Sequence, residues 1–249
     1  MELKLAGKRA LVTGASAGIG REIVRQLAME GVHVLAVSRR EALLDELAEE
    51  IVSAGGVRPS VLAQDVTAPD AHEAIARAVE REGQIQILIN NAGHSEPTTL
   101  ESGDEIWDRT LLLNYTRPRQ LTHALLPGIL ATGWGRIINI TGISEPLGIN
   151  ATLPAKAAMH SWAKGLSREL ASRGVTVNCI PPGRIVTEQS RKRFTDAERE
   201  VFAKREIPMG RYGQPGELAV LAVFLASPLA DYITGTVMIV DGGFSRYQF

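Results

Sequence analysis

Cysteine is nearly absent from this 249-residue chain: Cys179 stands alone, so no internal disulfide can form. A lone thiol fits a reducing compartment, and a cytoplasmic location is the expectation. An excess charge of either sign is also missing. The 27 basic and 28 acidic side chains leave a formal charge of −1, which removes the basic face that nucleic-acid and membrane-surface proteins need. Neither nucleic acid nor membrane is therefore an expected partner. Long apolar runs are absent too. The longest, Leu218 to Ala226, falls far short of the roughly 18–20 residues that cross a bilayer. The opening MELKLAGKRALVTG has no apolar core of the secretory kind, so no leader is expected. No His/Cys cluster has metal-ligand spacing, and no metal is expected. Aromatics make up only 5%; Trp107, Trp134 and Trp162 read as packing. What remains is a 45% hydrophobic content, ample for a sizeable core and incompatible with intrinsic disorder.

Short aliphatic runs alternate with longer helical patterns. The runs are Arg9–Thr13, Val32–Val37, Val61–Val66, Ile85–Asn90, Arg136–Thr141, Val175–Ile180 and Thr236–Asp241. Several are almost continuously apolar, as in strands covered on both faces. The helical candidates are Gly18–Met29, Arg40–Ala54, Pro69–Glu82, Asp104–Ala131, Pro154–Arg173, Asp196–Arg205 and Pro215–Ala226. Such alternation builds βαβ units: an α/β fold, a single doubly wound parallel sheet of about seven strands with helices on both faces. No linker, repeat or low-complexity tract interrupts residues 1–249, so one domain is expected. Ligands of such sheets bind at the carboxyl ends of the strands, where Gly142–Leu153 and the stretch after Pro182 fall.

The first strand runs into Thr13-Gly14-Ala15-Ser16-Ala17-Gly18-Ile19-Gly20 and then a helix. Glycines there permit a tight turn and let backbone N–H groups approach a pyrophosphate at the helix N-terminus. The spacing Gly-x-x-x-Gly-x-Gly resembles that of the short-chain dehydrogenases/reductases, and the resemblance extends along nearly the whole chain. Asp65-Val66 is similar to the family's adenine-contacting pair, and Asn90-Asn91-Ala92-Gly93 matches its NNAG motif. Asn114 falls where the family has a structural or catalytic asparagine, Pro182-Gly183-Arg184-Ile185-Val186-Thr187 resembles its PGxIxT loop, and Asp241-Gly242-Gly243 its terminal DGG. The resemblance implies a Rossmann-type dinucleotide fold. It also implies cofactor contacts from Gly14, Ser16, Gly18, Ile19, Gly20, Asp65, Val66, Asn91, Ala92, Gly93, Pro182, Gly183, Ile185 and Thr187.

The end of the second strand selects the cofactor. NAD sites offer a carboxylate there to the ribose hydroxyls, whereas this chain reads Ser38-Arg39-Arg40 with no acid before Glu41. Arg39 can pair with a 2′-phosphate and Ser38 can donate to it, so NADP(H) is expected ahead of NAD(H).

The catalytic pattern departs from the family. Its members carry Tyr-x-x-x-Lys on one helical face, with a serine about a dozen residues upstream. Lys156 fits the lysine, implying a ribose contact as well, but Thr152 stands four positions earlier. Gly142 occupies the serine position, and Ser144 is the nearest serine. The tyrosines, at 115, 212, 232 and 247, all lie elsewhere. A threonine hydroxyl does not ionise near neutrality, and a missing general acid costs about 10²–10⁴ in rate. Candidates for the chemistry are Asn114, Ser144, Thr152 and Lys156, with Glu145, His94 and His160 close by in sequence.

Two functions are expected to compete. One is an NADP(H)-dependent, 3-oxoacyl-reductase-like oxidoreductase of a small carbonyl or secondary alcohol, using a non-standard proton donor. The other is a catalytically weak or inactive dinucleotide-binding protein with a sensor or structural role. Charge-rich residues 188–209 read as a lid. By family resemblance, Asp104–Ala131 and Pro154–Arg173 form the faces of a homo-oligomer, a dimer or tetramer.

Overall fold

The computed structural model describes residues 2–143, 145 and 148–246. Six strands form one sheet: β1 Arg9–Thr13, β2 His33–Ser38, β3 Ser60–Ala63, β4 Ile87–Asn90, β5 Gly135–Ile140 and β6 Val175–Ile180. Their order is β3-β2-β1-β4-β5-β6, and every pairing is parallel. The helices are α1 Gly18–Met29, α2 Glu41–Ser53, α3 Ala71–Glu82, α4 Asp104–Leu111, α5 Arg117–Ala131, α6 Thr152–Leu170, α7 Glu188–Arg193, α8 Asp196–Glu206 and α9 Pro215–Ala226.

The two-residue period of a strand sends alternate side chains into two cores. Ala10 and Val12, Val34 and Ala36, Ile87 and Ile89, and Ile138 and Ile140 face α1, α2 and α9. Leu11, Leu35, Leu88 and Ile137 face α3, α5 and α6. Nearly every residue of β1, β2, β4, β5 and β6 is buried, which explains why apolar residues predominate in them.

The expected seventh strand is only partly a strand. Thr236–Asp241 lies parallel to β6 through isolated bridges, Cys179 with Val237 and Pro182 with Val240. The long helix expected over 104–131 is divided by a π-helical turn, Leu112–Thr116, that carries Asn114. Helix α6 begins at Thr152 rather than Pro154, and proline is tolerated because first-turn N–H groups have no intrahelical acceptor. Helix α7 was not expected. It contains no apolar residue and starts from a capping box, with Thr187 and Ser190 exchanging side-chain and backbone bonds.

The sheet reverses its winding between β1 and β4, and there the chain comes closest to itself. Gly14 has φ +68°, and a Cβ on it would lie 2.9 Å from the Cα of Ala92. A Cβ on Gly20 would stand 2.3 Å from Asn91 Nδ2 and 2.4 Å from the Gly14 carbonyl oxygen. In an ordinary exposed helical site, glycine-to-alanine substitution stabilises by about 0.5–1 kcal/mol. Gly20→Ala is predicted to reverse that sign, costing about 1–3 kcal/mol by overpacking. Urea unfolding checks this, and a stabilised variant would contradict the contact.

Candidate active site

The carboxyl ends of β1, β4, β5 and β6 open onto a cavity of about 730 Å³. One side is lined by Gly14, Gly18, Ile19, Asn91, Ala92 and Gly93, and its far wall by Pro182, Gly183, Ile185 and Thr187. Thr13 and Asn91 clasp the two loops together. The Asn91 side-chain amide donates to the Thr13 and Gly14 carbonyls at 2.9 and 3.2 Å. The backbone N–H groups of Asn91 and Ala92 both donate to Thr13 Oγ1 at 3.0 Å. Gly20 is buried beneath this clasp, away from the cavity wall.

The residues after β2 separate. Arg39 is 77% exposed and 3.9 Å from Asp65, whose carboxylate also caps Thr67. Those Thr67 bonds and the Arg39 guanidinium hold the Asp65 carboxyl below its usual range despite the opposing effect of burial. Val66 packs at the edge of the second core. Arg40, which sequence reasoning passed over, turns into the cavity. It donates through Nε and Nη2 to Ser16 Oγ at 3.2 and 3.1 Å and pairs with Glu188 of α7 at 2.8 Å. Ser38 Oγ accepts from the Arg40 backbone at 3.2 Å. Adjacent residues gave no sign of which arginine reaches inward.

The inner end of the cavity is built by α6 and the π-helical turn. Asn114 is buried, and its amide nitrogen donates to the carbonyls of His94 and Thr110 at 3.1 and 3.0 Å. Its Oδ1 is buried without a partner. Lys156 sits one turn into α6, buried, and donates to the Ile140 carbonyl at 3.0 Å. Both groups converge on Gly93. A Cβ there would lie 2.9 Å from Asn114 Oδ1 and 3.1 Å from Lys156 Nζ. Burial lowers the Lys156 amine to about 8.

Thr152 opens α6 and lines the same cavity, its backbone N–H held by Asn150 Oδ1 at 2.8 Å. Its hydroxyl lies 3.5 Å from the His94 carbonyl, at the limit of hydrogen bonding. Gly142 lies against the Lys156 stem, with its notional Cβ 3.5 Å from Lys156 Cγ. Ser144 lies outside the described residues. Glu145 lines the cavity but accepts from the Arg246 backbone at 2.7 Å. His160 shares a 2.7 Å hydrogen bond with Thr141 Oγ1, a cavity-lining hydroxyl that sequence reasoning did not single out. Tyr212, Arg184 and Phe244 also line the cavity; they come from distant segments and share no local motif. Residues of α7 close one side, where Gln189 Nε2 donates to the Ser95 carbonyl at 3.0 Å.

The Gly14 and Gly20 contacts, the glycine-lined mouth and the inward Arg40 form a cradle of the size and donor chemistry of a phosphorylated dinucleotide. The orphan Asn114 oxygen and the buried amine face its inner end. Fold and site together define a nucleotide-binding α/β protein of the doubly wound class. Residues 14–245 match the family model described as enoyl-(acyl carrier protein) reductase. The chain belongs to the short-chain dehydrogenase/reductase family, whose oxidoreductase members match it almost end to end. It is 35% identical to galactitol 2-dehydrogenase (L-tagatose-forming) of Cereibacter sphaeroides, over 97% of this chain and 96% of that one. It is 38% identical to 3-oxoacyl-(acyl-carrier-protein) reductase FabG of Vibrio cholerae, over 97% and 98%. The crystal structure of L-sorbose reductase from Gluconobacter frateurii, complexed with NADPH and L-sorbose, superposes with a TM-score of 0.94 at 33% identity over both whole chains.

The buried amine makes stability depend on pH with a definite sign. Lys156 titrates near 8 in the fold and near its ordinary 10.5 when unfolded, so between these values the unfolded chain binds more protons. The penalty for the buried charge is present below about 8 and is lost as pH rises through that window. Lys156→Met removes it. Urea unfolding of both proteins at about pH 7.5 and about pH 9.5 is predicted to show the variant's relative stability falling at the higher pH. A pH-independent difference would contradict the burial.

Proposed function

We propose that this protein is an NADP(H)-dependent oxidoreductase acting on a carbonyl or secondary alcohol, with Lys156 as the proton-carrying group. The observation that carries the reading is the convergence of Lys156 Nζ and the unpartnered Asn114 Oδ1 on Gly93 at the inner end of the cleft. The relatives' names support the reaction type: galactitol dehydrogenation, 3-oxoacyl reduction and L-sorbose reduction each interconvert an alcohol and a carbonyl. Their substrates range from polyols to carrier-bound acyl groups, which supports no narrower choice.

NADP(H) supplies hydride exchange when bound; the chain's own residues bind it, orient the substrate and move the proton. Gly14, Gly18 and Ile19 line the pyrophosphate cradle at the N-terminus of α1, and Gly20 lets the loop close beneath it. Ser16, Ser38, Arg39 and Arg40 take the 2′-phosphate. Asp65 and Val66 flank the adenine, Asn91, Ala92 and Gly93 form the floor, and Pro182, Gly183, Ile185 and Thr187 face the nicotinamide side. Residues 188–209, spanning α7 and α8, act as the lid of one domain covering 1–249. The chain works as a homo-oligomer through the outer faces of α4, α5 and α6.

An ammonium has three N–H donors, and Lys156 spends one on the Ile140 carbonyl. With a value near 8 it is mainly charged at neutrality and close enough to ambient pH to give up a proton. Thr152 holds the substrate oxygen by hydrogen bonding, since its own hydroxyl does not ionise in this range. Asn114 fixes the geometry of the His94 loop and presents its free oxygen to a water or to the substrate. The Thr152 and Gly142 positions also favour a second reading, cofactor binding without turnover.

Cofactor preference tests the nucleotide side. A charge-assisted 2′-phosphate contact is worth about 1.5–3 kcal/mol, so NADPH is predicted to bind at least about tenfold tighter than NADH. Arg40→Ala should erase most of that preference in a fluorescence titration and leave NADH unaffected. Equal affinities in the wild type would overturn the assignment. For the chemistry, NADPH is mixed with a panel of ketones, aldehydes and β-keto thioesters. Turnover should fall as pH rises through about 8 and drop by about 10²–10⁴ in Lys156→Met. Tight NADPH binding with no turnover across the panel would favour the second reading instead.

A further inference from the structure

The charged side chains lining the cavity are out of balance with the molecule. Four cations, Arg40, Lys156, Arg184 and Arg193, face two carboxylates, Glu145 and Glu188, on a chain whose net charge is −1. Most are engaged. Arg40 pairs with Glu188, Lys156 with a carbonyl, and Glu145 with the Arg246 backbone. Arg184 is not. Its guanidinium lies over the Phe202 ring at 5.0 Å and the Phe244 ring at 5.7 Å. Its Nε is buried with no hydrogen-bond partner, and among the described residues it makes no ion pair.

The physical sense of this arrangement is preorganisation. Both aromatic rings lie within cation–π range of the guanidinium and accept none of its N–H groups as hydrogen-bond acceptors would. An unpaired buried donor on a charged group is costly to keep. The edge of a guanidinium is a fork matched to two oxygens of a carboxylate or phosphate. Its supports belong to the lid end of the cleft: Phe202 comes from α8, Phe244 from the C-terminal segment, and Tyr212 packs edge-on to Phe202 at 6.1 Å. None belongs to the glycine loop or to the Ser38–Arg40 corner, where the proposed reading puts the nucleotide's phosphates. Arg193, over Phe194 at 5.6 Å, adds positive charge at the rim.

We propose that Arg184 is the binding site for an oxyanionic group, a carboxylate or phosphate, carried by the substrate at the lid end of the cleft. The proposal rests on the oxidoreductase reading, and narrows its substrate to an anionic alcohol or carbonyl compound.

Matched polyols test it without requiring turnover. Gluconate, sorbitol 6-phosphate and uncharged sorbitol are titrated calorimetrically onto the NADP⁺-saturated protein. One or both anions should bind at least tenfold tighter than sorbitol, and which of them does so separates carboxylate from phosphate. Arg184→Gln should collapse the difference, and Arg184→Lys, which keeps the charge but loses the fork, should retain part of it. Should the glutamine variant fail to fold, the wild-type comparison and the lysine variant decide. Three indistinguishable polyols, including no binding by any, would overturn the proposal, as would an anion preference unchanged in Arg184→Gln. Turnover of uncharged ketones without an anion preference overturns only this inference. Anion preference without turnover across the carbonyl panel upholds it and counts against the reductase reading.

Discussion

Two backbone loops touch where the sheet reverses its winding, and the rest of the site depends on that contact. Gly14 meets Ala92, Gly20 meets Asn91, and the Thr13 hydroxyl and Asn91 amide bind the loops to one another. Side chains at either glycine would push β1 and β4 loops apart. Because they do not, the N-terminus of α1 opens onto the same cavity as Gly93, and Gly93 in turn stands between Asn114 and Lys156. The glycine loop and the Gly93 end of the cavity are thus held in register by this close packing together with the Thr13 and Asn91 hydrogen bonds.

Electrostatics then divide the labour along the cleft. At the Ser38–Arg40 corner the inward arginine is held by Ser16 and Glu188, which joins the nucleotide corner to α7. In the middle a buried amine faces the cavity with its affinity for protons reduced. Near α8, Arg184 lies against Phe202 and Phe244 and makes no ion pair among the described residues. Charged groups are thus spread along the whole length of the cleft.

Local signals were legible in the sequence and long-range ones were not. The glycine loop, the NNAG turn and the continuous apolar strands are contiguous patterns, and each lies where periodicity and turn chemistry place it. A π-helical turn adds a residue to one helical turn without changing composition, so 104–131 reads as unbroken. Helix α7 has no apolar stripe, and its capping box is its main signal. The choice of Arg40 over Arg39 to face inward depends on Ser16 and Glu188, the latter 148 residues away in sequence. Arg184 is one letter in a familiar loop until Phe202 and Phe244 are brought against it.

On the proposed reading, hydride passes from a dinucleotide in the cradle to a carbonyl carbon held at the inner end of the cleft. Isotope transfer tests this most directly. With NADPH deuterated at the nicotinamide C4 and any carbonyl compound that the protein converts, the account predicts that the alcohol formed carries the deuterium on its carbinol carbon, as read by mass spectrometry. An alcohol formed without the label, or a product that keeps its carbonyl while the substrate disappears, would contradict it.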